Sequence, residues 1–384
     1  MLLRKVVIII LATIPAIIYT NKKLLSWELF ELFTDSKFTR EGLSRVENFN
    51  PDKDILYLPT LKGKNLFQAV GDLSITRKKS VRKYIYYYLT SGRKYLIRSI
   101  ERSYLYEDII QDVFSNNRDI PEELSLLPLI ESSFDPNAVS ESRAMGLWQF
   151  IRTTASTLGL THNHWIDERR NVKKSTEAAV DHLRNLYGIF HSWGLVLAAY
   201  NGGAGYIKRI MDKTGAKDFW ALEKSGLLRK ETRDYVPKFI ALLIIYKNQR
   251  LFGIRDEIDI PEKRDDGYVT LNRAVDLHRV AELTGVSVPM IKKLNPELKH
   301  DITPPSPKKY RLLLPAEGKK KLQENRNRLY TNRIRDAFEY RIKKGDTIGD
   351  IARRYRTGAG MIMRINHIRN HKALRPGKVI LVPY

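Results

Sequence analysis

Apolar residues recur at helical spacing through the middle of the chain. Ile109, Ile110, Val113 and Phe114 form one face ahead of an Asn116-Asn117 turn, and Leu124, Leu127 and Ile130 form another. The second helix is predicted to start at Pro121, because proline suits a first turn and Glu122 and Glu123 offset its positive dipole end. Thr153 to Leu158 continues as a helix, and Ala179, Leu183, Leu186 and Phe190 make Ser175 to Phe190 an amphipathic core helix. A buried helix is predicted over Trp193 to Tyr200, and Tyr235, Phe239, Leu242 and Tyr246 share a face of a later one. Residues 24–118 are polar with scattered apolar positions, helical in their second half, and are expected to brace the helices after them. Within them Tyr84, Tyr86, Tyr87 and Tyr88 read as a packed aromatic face before a sugar-stacking one.

Past Gly253 the composition turns to Arg, Asp, Glu and Pro, which marks a domain boundary. Two segments then echo each other: Asp276 to Asn295 parallels Asp346 to Asn366, and each leads to a strand, Tyr310 to Pro315 and Val379 to Pro383. Such a repeat implies two copies of one small unit. Glu317 to Asp336 lies between them as a basic, helical connector.

The chain opens with Arg4-Lys5, an apolar run over residues 6–19, and Lys22-Lys23, which is the layout of an export signal. A helix of that run spans roughly 21 Å, short of the roughly 30 Å of a bilayer core. Export is therefore expected, with residues 1–23 either removed or kept as a marginal membrane anchor. Among 384 residues there are 67 Lys and Arg against 43 Asp and Glu, a net charge of +24. That excess favours polyanionic partners of any kind: nucleic acid, anionic lipid or an acidic polymer. No nucleic-acid motif accompanies it, so no nucleic-acid partner is expected. Cysteine is absent, which excludes disulfides, thiolate metal sites and attachment through a lipidated cysteine.

Candidate chemistry centres on Glu131. It sits beside the apolar stripe at a helix end, before the turn-prone Ser132, Ser133, Asp135 and Asn137. A carboxyl pressed against apolar surface keeps its proton more readily and can donate it near neutral pH; a solvated helix-end carboxylate is the plain alternative. Gly146-Leu-Trp-Gln-Phe150 adds a glycine for close approach, an aromatic wall and an amide. Trp148 reads as core before ligand stacking. His162-x-His164 is too sparse for a metal site, and Gly202-Gly-Ala-Gly205 comes after a helix, so it does not read as a nucleotide loop. Asp167 to Arg170 reads as salt-bridging and capping, and Asp135 and Glu141 as structural. No metal or cofactor is expected.

These residues resemble the motifs of the lytic murein transglycosylases with a soluble-lytic-transglycosylase, lysozyme-like (SLT) domain. Glu131-Ser132 is similar to the family's catalytic Glu-Ser, Gly146 to Gln149 to its Gly-Leu-Trp-Gln, Ala199-Tyr200-Asn201-Gly202-Gly203 to its Ala-Tyr-Asn-x-Gly, and Tyr235 to its closing tyrosine. The second repeat, with Gly345-Asp346-Thr347 and Leu374-Arg-Pro-Gly377, looks like LysM, a βααβ glycan-binding module; the first lacks the Gly-Asp-Thr opening and resembles a degenerate copy. The resemblance implies an α+β chain: a mostly α SLT catalytic domain over 119–252, a LysM-like repeat over 266–316, a connector over 317–337 and a LysM over 338–384. It also implies an exported enzyme of the cell envelope acting on peptidoglycan. Glu131 would be the single acid and base, Ser132, Gly146, Gln149, Tyr200, Asn201 and Tyr235 would hold the glycan, and 1,6-anhydromuramoyl ends would form. A lysozyme-type hydrolase and a non-catalytic wall-binding protein are the alternatives.

Overall fold

The computed structural model describes residues 78–384, apart from 251, 263, 306–308, 331–335 and 371–373, and a strand pair β1 (Thr60–Leu61) and β2 (Lys64–Asn65). The export-signal segment falls outside the described residues. The described residues fall into two compact units, one running up to Ile100 and including Phe190–Asp259, the other Glu101–Ile189 with Ile260–Tyr384. Helices dominate, with small antiparallel strand pairs toward the C-terminus, an α+β chain as expected.

The first unit is built on helix α1 (Lys79–Leu89), which buries Val81, Tyr84, Ile85 and Tyr88 on one face. The tyrosine-rich stretch is thus mostly packed, with Tyr87 left exposed. Burial and the neighbouring Asp234 both push the Tyr84 phenol pKa up. Helix α2 (Arg93–Tyr104) comes next and runs across the boundary between the units. Its first residue, Arg93, holds Glu257 and the carbonyls of Phe252 and Gly253.

In the second unit, α3 (Glu107–Ser115) buries Ile110, Val113 and Phe114. The helix expected from Pro121 is instead a 3-10 turn, Glu122–Leu126, and then a single α-turn, α4 (Pro128–Glu131). Pro128 has no amide hydrogen to continue the first helix but suits the start of a second. After α5 (Arg152–Thr157) comes the long α6 (Val172–Phe190). Back in the first unit, α7 (Trp193–Gly202) is buried from Trp193 to Ala199 and packs against α8 (Ala204–Thr214), α9 (Phe219–Lys224) and α10 (Lys230–Lys247). Helix α10 also packs along α1.

Each repeat is a βααβ unit. The first runs β3 (Asp266–Leu271), α11 (Leu277–Thr284), α12 (Val288–Leu294) and β4 (Tyr310–Pro315), with Tyr268 paired to Leu313. The basic stretch read as a connector folds as α13 (Ala316–Glu324) and α14 (Arg326–Leu329), whose Leu322 and Leu329 join this repeat's apolar core. It therefore completes a module. The second repeat runs β5 (Ala337–Arg341), α15 (Ile348–Arg354), α16 (Ala359–Ile365) and β6 (Val379–Pro383).

One side chain does the same work in both copies. Asn295 donates to the carbonyls of Ile291 and Leu313 and accepts from the Leu313 amide, tying the end of α12 to β4. Asn366 repeats this with Ile362 and Leu381. The helix caps correct the sequence alignment by one position. Asp276 caps α11, whereas in the second copy Thr347 caps α15, and Asp346 turns back to Tyr340 and the Lys343 amide.

Replacing Asn295 by Ala strands the buried amide and carbonyl of Leu313 in β4. We expect N295A to lose about 2–3 kcal/mol of stability, and the partly exposed N366A less, as read by urea denaturation of the two variants.

Candidate functional site

Glu131 ends α4, half-buried, with its amide bonded to the Leu127 carbonyl at 3.1 Å. The turn after it is unusual. Ser133 and Phe134 both take φ of 53°, a left-handed conformation that non-glycine residues rarely adopt once, let alone twice in succession. The turn is held by Ser132 and Phe134 amides bonding the Pro128 carbonyl, and by burial of the Phe134 ring. The Ser132 hydroxyl donates to the Leu147 carbonyl at 2.9 Å, which fastens the Glu131 turn to the Gly146–Gln149 turn.

That second turn is a tight double bend, bridged from Val139 to Met145 and from Met145 to Phe150. Gly146 sits at φ 83°, and a Cβ there would lie 1.9 Å from the Arg169 carbonyl oxygen, so no other residue fits. Gln149 is also left-handed, at φ 48°, and its Nε2 donates to the Gly146 carbonyl at 2.8 Å. Trp148 is core, as read from sequence: it is fully buried, stacks on Phe114 and donates its ring N–H to Thr176.

Arg169 supports the bend from behind. It is buried, donates twice to Asp167 at 2.9 and 2.7 Å, and donates to the carbonyls of Arg143 and Phe150 at 3.1 and 3.2 Å. Burial by itself would raise the Asp167 pKa, but the Arg169 bonds and charge outweigh it and hold the carboxyl below its usual 3.8. The sequence marked this tetrapeptide for salt bridging; its carbonyl partners, far along the chain, gave no sequence signal.

Tyr200 and Asn201, at the end of α7, belong to the other unit. The Asn201 amide is fixed at both ends. Its oxygen accepts from the Thr232 hydroxyl at 2.9 Å, and its nitrogen donates to Glu231 at 3.1 Å. Both partners lie in the first turns of α10, the helix that carries the buried Tyr235. Arg229 stacks over the Tyr206 ring at 4.2 Å and donates to the Gly202 carbonyl. Sequence reasoning missed Arg229, Glu231 and Thr232, although they directly precede the Arg-Asp-Tyr-Val-Pro stretch.

His162 and His164 point to separate neighbours, Asp167 at 3.5 Å and the His300 ring at 5.0 Å. Among the described residues no cluster of three metal-ligating side chains occurs.

Replacing Arg169 by Met leaves Asp167 buried without a counter-charge. We expect R169M to lose about 3–5 kcal/mol at pH 7, measured by urea denaturation. Because the native Asp167 pKa is depressed, the stability it contributes is present above 3.8 and is lost as pH falls through the folded value. The gap between R169M and the native chain should therefore narrow in acid.

Residues 108–223 match the family described as Transglycosylase SLT domain, 267–331 the one described as Lytic transglycosylase MltD, LysM-like domain, and 340–383 the LysM domain. Membrane-bound lytic murein transglycosylase D of Escherichia coli K12 is 32% identical over 283 residues, covering 69% of this chain and 60% of that protein. Its counterpart in Escherichia coli O6:H1 gives the same 32% and the same coverage. The chain thus spans less than two thirds of the length of these relatives. The 70 kDa soluble lytic transglycosylase SLT70 of Escherichia coli superposes at a TM-score of 0.35 and 17% identity, over 55% of this chain and 35% of that one, too distant to bear on the fold. The chain carries a transglycosylase SLT domain and, after it, two LysM-type domains, and it is similar over most of its length to membrane-bound lytic murein transglycosylase D.

Proposed function

We propose that the chain cleaves the β-1,4 bond between N-acetylmuramic acid and N-acetylglucosamine in peptidoglycan, with Glu131 as its only acid and base. The observation that carries this is the half-buried Glu131 on a strained turn, fastened through Ser132 to the Gly146–Gln149 bend. Strain of this kind persists where a site needs a side chain held in one place.

Most glycosidases need two carboxylates. One is enough when the sugar supplies its own nucleophile. Glu131 gives its proton to the bridging oxygen as the bond to C1 breaks, and the muramoyl acetamido group helps to stabilise the oxocarbenium-like state. The muramoyl C6 hydroxyl oxygen then attacks C1 and passes its proton to Glu131, which restores the acid. The product is a 1,6-anhydromuramoyl end, and no water is consumed. Attack within one molecule can remove on the order of 7 kcal/mol or more from the barrier.

Ser132, Gly146, Gln149, Tyr200, Asn201 and Tyr235 are assigned to holding the glycan, a role supported by their match to the family motifs. The LysM module, 340–383, is assigned to binding the glycan strand, and the excess of Lys and Arg suits the carboxylates of the wall. The membrane-bound relatives support a place in the cell envelope. Among the described residues no helix is long and apolar enough to cross a membrane.

The test compares native protein with Glu131→Gln on purified sacculi. Release of soluble fragments should fall at least about a hundredfold in E131Q, while sedimentation with sacculi is unchanged. Equal release by the two proteins would remove Glu131 from the reaction.

A further inference from the structure

The first LysM-type module meets the enzymatic part of its own unit along Asn295 to His300, and Trp165 and Ile166 pack into the module's apolar core. There the backbone pairs: the Asp167 amide donates to the Glu297 carbonyl at 2.9 Å, Ile166 bridges Leu298, and the Lys299 amide donates to the Trp165 carbonyl at 3.0 Å. Glu297 is at the centre of this contact and is 3% exposed. Its Oε1 accepts from the Asn171 side chain at 2.8 Å and from the Tyr310 hydroxyl at 2.8 Å, while Oε2 has no hydrogen-bond partner.

Both ends of this contact are anchored. On the module side, Tyr310 belongs to β4, and Asn295 clamps the same strand. On the enzymatic side, Asn171 caps α6 through the Lys174 amide, and Asp167 binds the Arg169 fork. Arg169 in turn donates to the Arg143 and Phe150 carbonyls, and its own carbonyl fits against Gly146. A continuous path of hydrogen bonds and packing therefore runs from a module strand to the bend that carries Gln149.

We propose that the first LysM-type module acts as a buttress of the cleavage site, with Glu297 as a positioning residue that fixes the Asp167–Asn171 turn and, through Arg169, the Gly146–Gln149 bend. The catalytic consequence rests on the function proposed above; the mechanical coupling does not. Burial raises the Glu297 pKa and so favours its neutral form, which glutamine imitates in shape and in accepting both bonds. Alanine removes the acceptor and leaves Asn171 and Tyr310 facing a void. A module held this way differs from a tethered glycan binder, because loosening it disturbs the site and not just the affinity for the wall.

The test uses the full chain as native protein, E297A, E297Q and, as a control for general loss of stability, N366A in the second module. Hydrogen exchange measured by mass spectrometry reports on residues 143–150 under conditions where every variant is folded. Exchange there should rise about tenfold in E297A, stay near native in E297Q, and stay near native in N366A. Turnover of sacculi should fall about tenfold or more in E297A with KM unchanged, and recover in E297Q. Native exchange at 143–150 in E297A overturns the proposal, as does an equal rise in N366A. Raised exchange in E297A alone, in a protein that cleaves no sacculi at all, upholds the coupling and sinks the proposed function instead.

Discussion

The buried pair of Asp167 and Arg169 is the constraint on which the site depends. Arginine is always charged and has five N–H donors in a planar fork, so burying it demands several acceptors in one plane. Here the acceptors are the Asp167 carboxylate and the carbonyls of Arg143 and Phe150. Those two carbonyls flank a bend that is tied by two isolated bridges, Val139 to Met145 and Met145 to Phe150, with no extended strand pairing. The guanidinium supplies what a sheet would otherwise supply. Gly146 is the geometric counterpart, because only a residue without a Cβ can lie against the Arg169 carbonyl.

This fixed bend sets the position of Glu131 within its own unit. The Leu147 carbonyl receives the Ser132 hydroxyl, and so the position of Glu131 is set by a turn 15 residues further along the chain. The left-handed Ser133 and Phe134 would relax if freed, and the buried Phe134 ring keeps them in place. In the other unit Asn201 is locked by Thr232 and Glu231, which fixes the direction of an amide otherwise able to turn either way. Each of these proposed substrate contacts is thus held by a neighbour with no part in the chemistry.

Much of this was legible in the sequence, and the limits have physical causes. Glu131-Ser132 and Gly146 to Gln149 stand out because each is a short local pattern, a carboxyl beside an apolar stripe and a glycine ahead of an aromatic and an amide. The strands Tyr310–Pro315 and Val379–Pro383, one closing each repeat, were legible because a repeat states its own length twice. The break at Pro128 was readable in principle, but the apolar spacing of Leu124, Leu127 and Ile130 spoke for one helix. The one-residue offset between Asp276 and Asp346 was hidden, since aspartate and threonine both cap helices. Leu322 and Leu329 were lost among lysines and arginines, whose charges drew the reading toward a connector. Glu297 was invisible: its partner Asn171 lies 126 residues away, and nothing local distinguishes a buried glutamate from a solvated one.

The central claim is that a single carboxylate suffices because the sugar closes on itself. The mass of the newly formed ends in a digest of sacculi by the native protein tests it most directly. Anhydro ends, each one water lighter than a hydrolysed end, are the predicted result. New ends carrying the added water would show that a solvent molecule is the nucleophile, and would contradict the account.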